Sequence, residues 1–557
     1  MEKKIEQKFN EWLYSNALSK EEKAELEAIK GNEKEITERF ITDLEFGTAG
    51  LRGVMAMGTN RMNKYVIRHA TQGLANFLLL KEKEPSVAIA YDSRLNSELF
   101  AHEAARVLAA NGIKVFIYER LMPVPALSFA VRQLKTSAGI VITASHNPKQ
   151  YNGYKVYGPD GCQMTTPNAN AVLKEINRLD MFDVKLSDFE NNLQISYISN
   201  DLIEKYYASV LSQSIESPAD SKRILKVTYT PLHGAGYIPV TTILKRDGFN
   251  SVDIVEEQKE PDGNFTTCPY PNPEIKEAMD LGMKLMLKNG NDILVATDPD
   301  SDRAGVAVNQ NGKAVILTGN EIGILLFDFI YNARVKQNKL PKNPIVVKSI
   351  VSSSLVNLMG KKFGVTVIDV LTGFKWIGEQ ILLLEKKHEE NRFIFGFEES
   401  YGYLTNPDVR DKDAVNAVLL IAEMANYYKH KGLTLLDRLD ELYNEFGPYK
   451  TKTLAFEYPG LEGQARMKEI MKKLRDESFS LFENVVSVAD FESGIETYKD
   501  RREKITLPNS NVLRFTLPES ETIIFRPSGT EPKLKAYIFA KEGHIQALQQ
   551  KLNIILK

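Results

Sequence analysis

The sequence predicts an α/β protein of several domains that ends in an α+β unit. From Val87 onward, short β-branched runs alternate with longer amphipathic segments, as in the strand-like residues 87–90 and 113–118 around the helix-like residues 98–110. Strands that alternate with helices indicate crossover units and largely parallel sheets covered on both faces. The alternation continues through much of the chain, with further strand-like runs at residues 224–229, 293–296, 345–347 and 365–370.

The two ends of the chain differ from this middle part. Residues 1–40 are rich in Glu, Lys, Leu and Ala at helical spacing, and predict a helical N-terminal extension. Near the other end, close-set strands at residues 513–515, 522–525 and 534–539 precede a helix at 543–556, which predicts an α+β unit with a more antiparallel sheet. A chain of 557 residues is too long to fold around a single hydrophobic core, so about three to five domains are expected. Changes in the alternation of strand-like and helix-like segments place these domains at residues 41–210, 211–324, 325–450 and 451–557.

Composition argues against several functional classes. The formal net charge is −2, so no basic surplus indicates a nucleic-acid or membrane partner. The only cysteines, Cys162 and Cys268, argue against a disulfide scaffold or a cysteine zinc site and favour a cytoplasmic location. The charged N-terminus lacks the apolar core of a signal peptide. The longest uncharged apolar runs, such as residues 414–422, are shorter than the roughly 18 residues of a membrane helix.

A serine stands in a polar turn directly after a predicted strand. Residues 138–142 are apolar, and Thr-Ala-Ser-His-Asn-Pro follows at residues 143–148, here called the serine loop, with Ser145 at its centre. Ligands of open α/β sheets bind at this edge. Serine alone is a weak nucleophile, so it needs a metal, a base and anion-binding groups nearby. His146 is a candidate base, although neighbouring side chains in a turn usually diverge, which favours a loop-shaping role. Lys155 is a second candidate acid or base.

An aspartate-rich loop follows the strand-like residues 293–296. This aspartate loop, residues 298–303, carries three alternating carboxylates that suit a hard divalent cation, namely Asp298, Asp300 and Asp302. An EF-hand is excluded because its sixth position would be Arg303 and its twelfth Asn309. A solvated acidic turn and an aspartyl-phosphate enzyme with Asp298 as nucleophile are the alternatives. Three crowded carboxylates favour metal ligation, because a nucleophile needs an open face.

Two further loops are candidates for binding a sugar phosphate. In the arginine loop, residues 526–533, Arg526 can grip phosphate oxygens, Ser528 and Thr530 offer hydroxyls, and Gly529 lets backbone N–H groups approach. In the glutamate loop, residues 396–402, paired carboxylates beside a serine suit hydrogen bonds to vicinal hydroxyls, although a structural turn is equally open. No P-loop motif for ATP is present.

A glycine-rich turn at residues 47–53 (Gly-Thr-Ala-Gly-Leu-Arg-Gly) contains Thr48 and Arg52. It lacks the Gly-x-Gly-x-x-Gly fingerprint after a clear strand, so it does not predict a dinucleotide site. Its arginine is a candidate for core packing or for ligand binding.

Taken together, these segments resemble the α-D-phosphohexomutase superfamily, and most closely its phosphoglucomutase members. The resemblance covers nearly the whole chain after residue 40, with the serine, aspartate, glutamate and arginine loops in the family's order. It implies four domains around one cleft. The first three would be mixed α/β sheets of similar topology, and the fourth a smaller α+β domain resembling the TATA-box-binding fold.

The resemblance also implies roles for individual residues. Ser145 would be phosphorylated and would bind Mg²⁺ together with the three aspartates. Arg52 and Lys155 match positions near the transferring phosphate, and acid/base chemistry would fall to Lys155 or to Lys412. With Ser145, Arg52 and Lys155, His146 completes the set of candidate catalytic residues. Residues 372–376 resemble a loop that helps distinguish the two sugar orientations. The positions implied for substrate binding are Thr48, Arg303, Thr372, Gly373, Lys375, Glu398, Ser400, Lys412, Arg526, Ser528, Gly529 and Thr530.

The chain departs from the family pattern at two places. Ala49 stands where the first motif usually has serine, and Gly402 or Tyr403 where phosphomannomutase-type members place a histidine. The glutamate loop is therefore similar to the form found in glucose-specific members. Residues 44–63 also resemble the branch that includes phosphopentomutases.

The reaction implied by the resemblance is an isomerisation of carbohydrate metabolism. α-D-Glucose 1-phosphate and glucose 6-phosphate would interconvert through a phosphoserine enzyme, with glucose 1,6-bisphosphate as intermediate and activator. Phosphopentomutase and phosphomannomutase activity by the same mechanism are alternatives, and a sugar-phosphate hydrolase is an alternative of another class. The expected partner is a small sugar phosphate, and the expected state is a monomer or weak dimer.

Overall fold

The computed structural model describes residues 2–46, 50–216, 222–528 and 533–556. Over these ranges, four β-sheets with covering helices form four domains, numbered I to IV in chain order. Three sheets are mixed and the fourth is antiparallel, so the predicted four-domain α/β fold class is confirmed. Both cysteines are buried free thiols. No helix within the described ranges is long and apolar enough to cross a membrane.

The first forty residues are helical, as predicted, and form α1 (Lys3–Leu13), α2 (Lys20–Glu27) and α3 (Glu33–Phe40). Trp12 packs edge-on against Phe40 and Tyr65, with ring centroids 5.9 and 5.7 Å apart. The Tyr65 hydroxyl donates to Glu22, whose carboxylate also completes a capping box at the start of α2. The N-terminal helices therefore share one hydrophobic core with domain I.

Domain I contains a six-stranded mixed sheet. Its elements are β1 (Leu51–Val54), α4 (Lys64–Lys81), β2 (Ser86–Tyr91), α5 (Ser97–Ala110), β3 (Lys114–Ile117), α6 (Val124–Leu134), β4 (Ala138–Ile142), β5 (Tyr151–Tyr157), α7 (Thr166–Ile176), β6 (Ile195–Tyr197) and α8 (Asn200–Leu211). The strand order is β1-β5-β4-β2-β3-β6. Strand β4 is buried at every position, which explains its continuous apolar sequence, because helices cover both faces of its sheet.

Domain II contains a five-stranded sheet. Its elements are β7 (Val227–Thr230), α9 (Tyr237–Arg246), β8 (Val252–Ile254), α10 (Glu256–Lys259), α11 (Lys276–Asn289), β9 (Ile293–Thr297), β10 (Ala304–Gln310) and β11 (Lys313–Leu317). The strand order is β11-β10-β9-β7-β8. The first strand begins at Val227, three residues after the predicted start.

Domain III contains a four-stranded sheet. Its elements are α12 (Gly319–Lys336), β12 (Ile345–Ser349), α13 (Leu355–Phe363), β13 (Thr366–Val370), α14 (Lys375–Glu385), a 3₁₀ turn (Glu390–Arg392), β14 (Phe393–Glu398), β15 (Gly402–Leu404), α15 (Ala414–His430) and α16 (Leu435–Phe446). The strand order is β13-β12-β14-β15. The predicted glutamate loop is partly wrong, since Gly396, Phe397 and Glu398 continue β14 and only residues 399–401 form the turn.

The three mixed sheets repeat one arrangement of four strands. The four strands are β2 to β5 in domain I, β7 to β10 in domain II and β12 to β15 in domain III. Counted within each set, the third strand lies beside the first, the second lies on the far side of the first, and an antiparallel fourth strand flanks the third. The serine loop, the aspartate loop and the turn of the glutamate loop occupy the same place, between the third and fourth strands. A residue with positive φ lies in each loop, at 53° in Ser145, 50° in Ser301 and 65° in Tyr401.

Domain IV contains a seven-stranded antiparallel sheet, as its close-set strands predicted. Its elements are β16 (Tyr449–Glu457), α17 (Gly460–Asp476), α18 (Ser478–Leu481), β17 (Ser487–Asp490), β18 (Ile495–Tyr498), β19 (Arg502–Lys504), β20 (Leu513–Thr516), a 3₁₀ turn (Pro518–Ser520), β21 (Thr522–Pro527), β22 (Lys533–Lys541) and α19 (Glu542–Ile555). The arginine loop joins β21 to β22, two neighbouring strands that lie between β20 and β16 in the sheet.

An apolar cluster joins domain IV to domain III. It consists of buried side chains from the ends of β12 and β13 and from the domain IV sheet: Ile350, Val351, Leu371, Ala489, Phe491, Val512, Ile524 and Tyr537. Helix α8, helix α12 and strand β16 run across residues 210, 324 and 450 respectively, so the domains are defined here by their sheets. The domain limits at residues 210, 324 and 450, which the sequence pattern indicated, stay predictions.

A buried cluster of charged side chains connects domain II to helix α15 of domain III. Arg223 Nη2 lies 2.6 Å from Asp247 Oδ2 and 3.1 Å from Glu423 Oε1, and both acids are almost fully buried. Burial raises the pKa of Asp247 to about 6 and that of Glu423 to about 7. Because these pKa values are raised on folding, the acids' contribution to stability is present at low pH and is lost as the pH rises from about 4 to about 7.

We predict that Arg223→Met destabilises the protein most at alkaline pH. Two ionised, buried carboxylates would then lack their cation, a loss of about 3–5 kcal/mol. At pH 5 both acids are largely protonated in the fold, so the loss is smaller. Denaturant unfolding at pH 5 and pH 8 measures this. The control is Arg246→Met, whose exposed partner is Glu204; we expect about 1 kcal/mol or less at both pH values. Equal losses for Arg223→Met at both pH values would contradict the assignment.

Candidate active site

The serine loop of domain I meets the aspartate loop of domain II. Ser145 Oγ donates a hydrogen bond to Asp298 Oδ2 over 3.1 Å, although 153 residues separate them. Thr143 Oγ1 accepts from the backbone N–H of Ser145 and donates to Asp300 Oδ2. The N–H of Val124, at the start of α6, donates to the Asp300 carbonyl. Direct hydrogen bonds between the two domains therefore set the serine hydroxyl beside the carboxylates.

The three aspartates form a compact, buried acidic cluster. One carboxylate oxygen from each of Asp298, Asp300 and Asp302 lies within 4.8 Å of the others. Asp298 Oδ1 accepts the backbone N–H groups of residues 302 and 303, which tightens the turn. Burial raises the pKa of Asp298 well above its ordinary value, and the other two carboxylates raise it further.

This cluster fits a divalent cation. Asp300 Oδ1 and Asp302 Oδ1 are buried and have no hydrogen-bond partner among the described residues. Three converging oxygen donors with unused lone pairs are the ligand set that hard cations prefer. The alternative of Asp298 as a nucleophile fits less well. Its Oδ1 is held by two N–H groups, and its Oδ2 by Ser145, so no open face is left for attack.

Three cationic side chains surround the acidic cluster. Lys155 Nζ lies 3.0 Å from Asp300 Oδ2, and Lys412 Nζ lies 3.1 Å from Asp302 Oδ2. Arg303 Nε approaches Asp302 Oδ1 at 3.7 Å. Burial alone would raise the pKa of Asp302, but these three cations hold it below its ordinary value. Asp302 can therefore stay ionised at neutral pH and offers a charged oxygen to a cation.

Lys412 is held from three sides. Its Nζ also pairs with Asp411 Oδ1 at 3.1 Å and lies 5.4 Å from the ring centroid of Phe374. Asp411 in turn accepts a hydrogen bond from the Tyr157 hydroxyl over 2.7 Å. A Cβ at position 402 would lie 2.1 Å from Lys412 Cδ, so the glycine there makes room for the lysine stem.

His146 lies closer to the serine than the sequence led us to expect. Its Nδ1 is 3.1 Å from Ser145 Oγ, so the expectation that the two side chains diverge is wrong. The left-handed backbone of Ser145 turns its side chain toward that of the next residue. Burial lowers the pKa of His146 well below its ordinary value, and Arg303 and Arg52 lower it further. The imidazole is therefore neutral at pH 7, and its surroundings oppose its protonation.

Arg52 lies on β1, opposite Gly153 of β5. Residues 51–54 thus form a strand, where the sequence predicted a turn, because they pair with the hairpin strand that leaves the serine loop. Arg52 Nη1 donates to Asn147 Oδ1 over 3.2 Å, at the rim of the serine loop. Gly50 has a φ of 101°, and a Cβ there would lie 1.9 Å from the Tyr154 carbonyl oxygen, so only glycine fits. Thr48 lies outside the described residues.

The glutamate loop contacts domain II and the loop of domain III that follows β13. Glu398 Oε1 accepts the backbone N–H of Gly373 over 2.6 Å, which brings the predicted orientation loop, residues 372–376, beside it. The Ser400 carbonyl accepts from Arg303 Nη1 over 3.1 Å. Burial raises the pKa of Glu398, while Lys412 opposes that shift.

Two groups beside Glu398 are well placed for a polar ligand. Thr372 Oγ1 is buried without a hydrogen-bond partner among the described residues. Burial lowers the pKa of Lys375, whose Nζ lies 5.1 Å from the Trp376 ring centroid. An unsatisfied hydroxyl and a half-buried ammonium favour a ligand that carries hydroxyl groups and negative charge.

The arginine loop faces this arrangement from domain IV. Arg526 lies one residue before the end of β21, opposite Lys535 of β22, and the Ser528 N–H donates to the Lys533 carbonyl. Burial raises the pKa of Tyr537 on β22, Glu399 raises it further and Arg526 lowers it, so domain IV lies within electrostatic reach of the glutamate loop. Gly529 and Thr530 lie outside the described residues.

The sequence did not single out Arg94, which the structure places against the serine loop. Its guanidinium is buried and donates to the carbonyl oxygens of Ser145 and Pro148. The feature of the sequence that could have indicated Arg94 is the charged Asp-Ser-Arg turn directly after β2, the strand beside β4. Recognising it required the order of strands in the sheet, which a single sequence does not state.

Comparisons with known proteins agree with this geometry. Family models of the phosphoglucomutase/phosphomannomutase α/β/α domains I, II and III match residues 43–182, 204–312 and 318–446. A phosphoglucomutase of Staphylococcus haemolyticus (strain JCSC1435) is 40% identical over 517 residues, or 92% of this chain and 93% of that protein.

Two solved structures share the fold. A putative phosphomannomutase from Thermus thermophilus has a TM-score of 0.69 at 22% identity, covering 92% of this chain and 99% of that one. The open form of pp63/parafusin, a phosphoglucomutase from Paramecium, has a TM-score of 0.68 at 18% identity, covering 92% and 95%. The predicted resemblance is confirmed. Because the matched family domains span more than half of its residues, this chain belongs to the phosphoglucomutase/phosphomannomutase family.

Proposed function

We propose that this protein is a phosphoglucomutase that interconverts α-D-glucose 1-phosphate and glucose 6-phosphate. The observation that carries the proposal is the 3.1 Å contact between Ser145 Oγ and the Asp298 carboxylate, inside a buried trio of aspartates. A hydroxyl at this place can carry a phosphoryl group beside a cation and several basic side chains. The relative with 40% identity bears the name phosphoglucomutase over almost its whole length.

The transfer takes place in two balanced steps. In the first, the Oγ–P bond of phosphoserine 145 breaks and a bond forms between phosphorus and the free hydroxyl oxygen of the sugar monophosphate. The hydroxyl proton passes to a nearby base, and Ser145 Oγ takes up a proton from a nearby acid as it leaves. Glucose 1,6-bisphosphate results. After that intermediate turns over in the cleft, its other phosphoryl group returns to Ser145 and the second monophosphate leaves. Positioning and charge neutralisation dominate such transfers.

The surrounding residues divide this work. Lys155, which pairs with Asp300, moves the hydroxyl proton. Two further candidates for acid/base chemistry lie nearby: His146, whose Nδ1 contacts Ser145 Oγ, and Lys412, which pairs with Asp302. Arg52 and Arg303 bind phosphoryl oxygens. Asp298, Asp300, Asp302 and a Ser145 oxygen would hold Mg²⁺, which would offset negative charge on the transferring group.

The far end of the substrate lies against domains III and IV. Glu398 and Ser400 bind sugar hydroxyls, and Thr372, Gly373 and Lys375 distinguish the two orientations of the bisphosphate. Thr48 adds a contact from domain I. The non-reacting phosphate is held by the arginine loop, through Arg526, Ser528, Gly529 and Thr530. Location in the cytoplasm and a monomeric or weakly dimeric state stay predictions.

A substrate panel tests the proposal. Purified protein with Mg²⁺ and a trace of glucose 1,6-bisphosphate is given glucose, mannose and ribose 1-phosphates, and product and free phosphate are followed by ³¹P NMR. We expect the highest kcat/KM for glucose 1-phosphate, without net phosphate release. A clear preference for ribose or mannose 1-phosphate would support a phosphopentomutase or phosphomannomutase instead. Stoichiometric release of phosphate would support a hydrolase.

Arg526→Ala is predicted to weaken substrate binding more than catalysis. Loss of a charge-assisted, two-pronged phosphate contact costs about 2–4 kcal/mol, which corresponds to a rise in KM of about 30-fold or more. Steady-state kinetics with glucose 1-phosphate measure it. Arg514→Ala is the matched control, since Arg514 lies on β20 of the same sheet and pairs with Glu496. An unchanged KM in Arg526→Ala would exclude the arginine loop as the distal phosphate site.

A further inference from the structure

Arg94 makes a dense set of contacts with the serine loop. Its Nη2 donates to the Ser145 carbonyl over 2.5 Å and also to that of Asn147. Its Nη1 donates to the carbonyls of Pro148 and Tyr151 over 3.1 and 3.2 Å. Only 3% of the residue is exposed. One planar guanidinium therefore gathers four carbonyl groups that point into a buried space, where water could not replace them.

The guanidinium is itself fixed from two domains. Its Nε pairs with Asp92 Oδ2 at 3.3 Å, and Asp92 Oδ1 accepts from the Ser97 hydroxyl and the Arg94 N–H. On the other side, Phe265 of domain II lies under the guanidinium, with 4.9 Å between the guanidinium carbon and the ring centroid. Arg94 of domain I therefore contacts the Phe265 ring of domain II as well as the serine loop.

The serine loop needs such support because its conformation is unfavourable on its own. Ser145 has a φ of 53°, a left-handed value that costs a non-glycine residue about 1–2 kcal/mol. Apart from the bonds that Thr143 Oγ1 and Ser145 Oγ donate to the aspartate loop, the backbone hydrogen bonds within the serine loop are short-range, from the Ser145 N–H to Thr143 Oγ1 and from the Asn147 N–H to the Ala144 carbonyl. Without Arg94, four carbonyls would each lose one donor at once, although the Pro148 carbonyl keeps the Tyr151 N–H, and the loop would relax away from this shape.

We infer that Arg94 is a positioning residue that holds the Ser145 hydroxyl in line with the three aspartates. Its side-chain hydrogen bonds within the described ranges go to the serine loop and to Tyr151, and its ion pair goes to Asp92, so it acts through the backbone that carries Ser145. The inference rests on the proposed function for its kinetic consequence, whereas the placement of the loop can be measured without turnover.

The test compares Arg94→Ala, Arg94→Lys and the wild type. We expect kcat for glucose 1-phosphate to fall about 100-fold in Arg94→Ala, the effect of a displacement near 1 Å at a reacting group, with KM changed less than about threefold. Millimolar guanidinium should restore part of the kcat of Arg94→Ala, because a free guanidinium fits the vacated space. Arg94→Lys should recover little, since an ammonium cannot reach four carbonyls in one plane.

Arg438→Ala is the matched control. The Arg438 guanidinium makes three hydrogen bonds, two to Asp328 at 2.9 and 2.8 Å and one to Glu441, but it lies between α12 and α16 of domain III. We expect lower thermal stability without a change in kcat and without rescue by guanidinium. A purely structural role of Arg94 predicts the same pattern, a lower melting temperature at unchanged kcat, and that result in Arg94→Ala would overturn the inference.

Hydrogen exchange separates this inference from the proposed function. In Arg94→Ala, amide exchange within residues 143–151 should rise at least about tenfold, while β2 and β3 keep their protection. Unchanged exchange in this segment would overturn the inference even if the enzyme is active. If the wild type isomerises no sugar phosphate, the proposed function is wrong. The exchange result then tests by itself whether Arg94 positions the serine loop. Should Arg94→Ala not fold, Arg94→Lys takes its place, and wild-type kcat and exchange in that variant overturn the inference.

Discussion

Replacement of Ser145 by alanine is expected to abolish the isomerisation. The reaction passes through a phosphoryl group on this oxygen, and no other hydroxyl of the described residues lies in the same position against Asp298. We expect kcat to fall by about 10⁴-fold or more, as in enzymes that lose a covalent nucleophile. The measurement is a coupled assay of glucose 6-phosphate formation from glucose 1-phosphate.

The fold of Ser145→Ala should be preserved. Alanine tolerates the left-handed backbone about as well as serine does, and the Thr143 hydroxyl still accepts the N–H at position 145. Ser137→Ala, in the loop before β4, is the matched control and should keep full activity; its hydroxyl contacts Glu82 outside the cluster. Activity within tenfold of wild type in Ser145→Ala would exclude a phosphoserine intermediate at this position.

Asp298→Asn is expected to change activity and stability in opposite directions. Asparagine keeps the size of the side chain and can still accept the two backbone N–H groups, but it removes one of three converging charges. We expect kcat to fall about 10³-fold because metal affinity and charge neutralisation both decline. In metal-free protein the melting temperature should rise, since burial and two neighbouring carboxylates oppose ionisation of Asp298.

Thermal melts with EDTA and with Mg²⁺ measure the second part. Wild type should gain stability on addition of Mg²⁺, and Asp298→Asn should gain much less. Asp280→Asn, on α11 of the same domain, removes a charge outside the cluster and should leave both the kcat and the response to Mg²⁺ unchanged. An Asp298→Asn enzyme that is less stable than wild type in EDTA and equally active would refute a metal site at these three aspartates.

Much of the site could be predicted because its chemistry is encoded in short, contiguous segments. The serine loop and the aspartate loop each follow an apolar run, so the sequence located them at strand ends, and the fold brings Ser145 and Asp298 into contact. Lys155 and Lys412 were also singled out, and both contact the acidic cluster. Periodicity likewise predicted the N-terminal helices and the antiparallel C-terminal sheet.

Features that depend on strand order were not predictable in the same way. Arg94 reaches the serine loop only because β2 lies beside β4, and the contact of His146 with Ser145 depends on a positive φ. The shared four-strand arrangement of domains I to III was implied by resemblance but has no visible sequence repeat, because many apolar side chains satisfy the same buried positions. Glu398 was assigned to a loop, since a buried acid at the end of a strand interrupts the apolar pattern.

The central claim is that one hydroxyl, on Ser145, carries the phosphoryl group. Protein incubated with glucose 1,6-bisphosphate labelled with ³²P in both phosphates, then digested and mapped, tests it most directly. The account predicts a single labelled peptide with the label on Ser145, stable to hydroxylamine. Label on Asp298 that hydroxylamine removes, or no covalent label while the enzyme turns over, would contradict it.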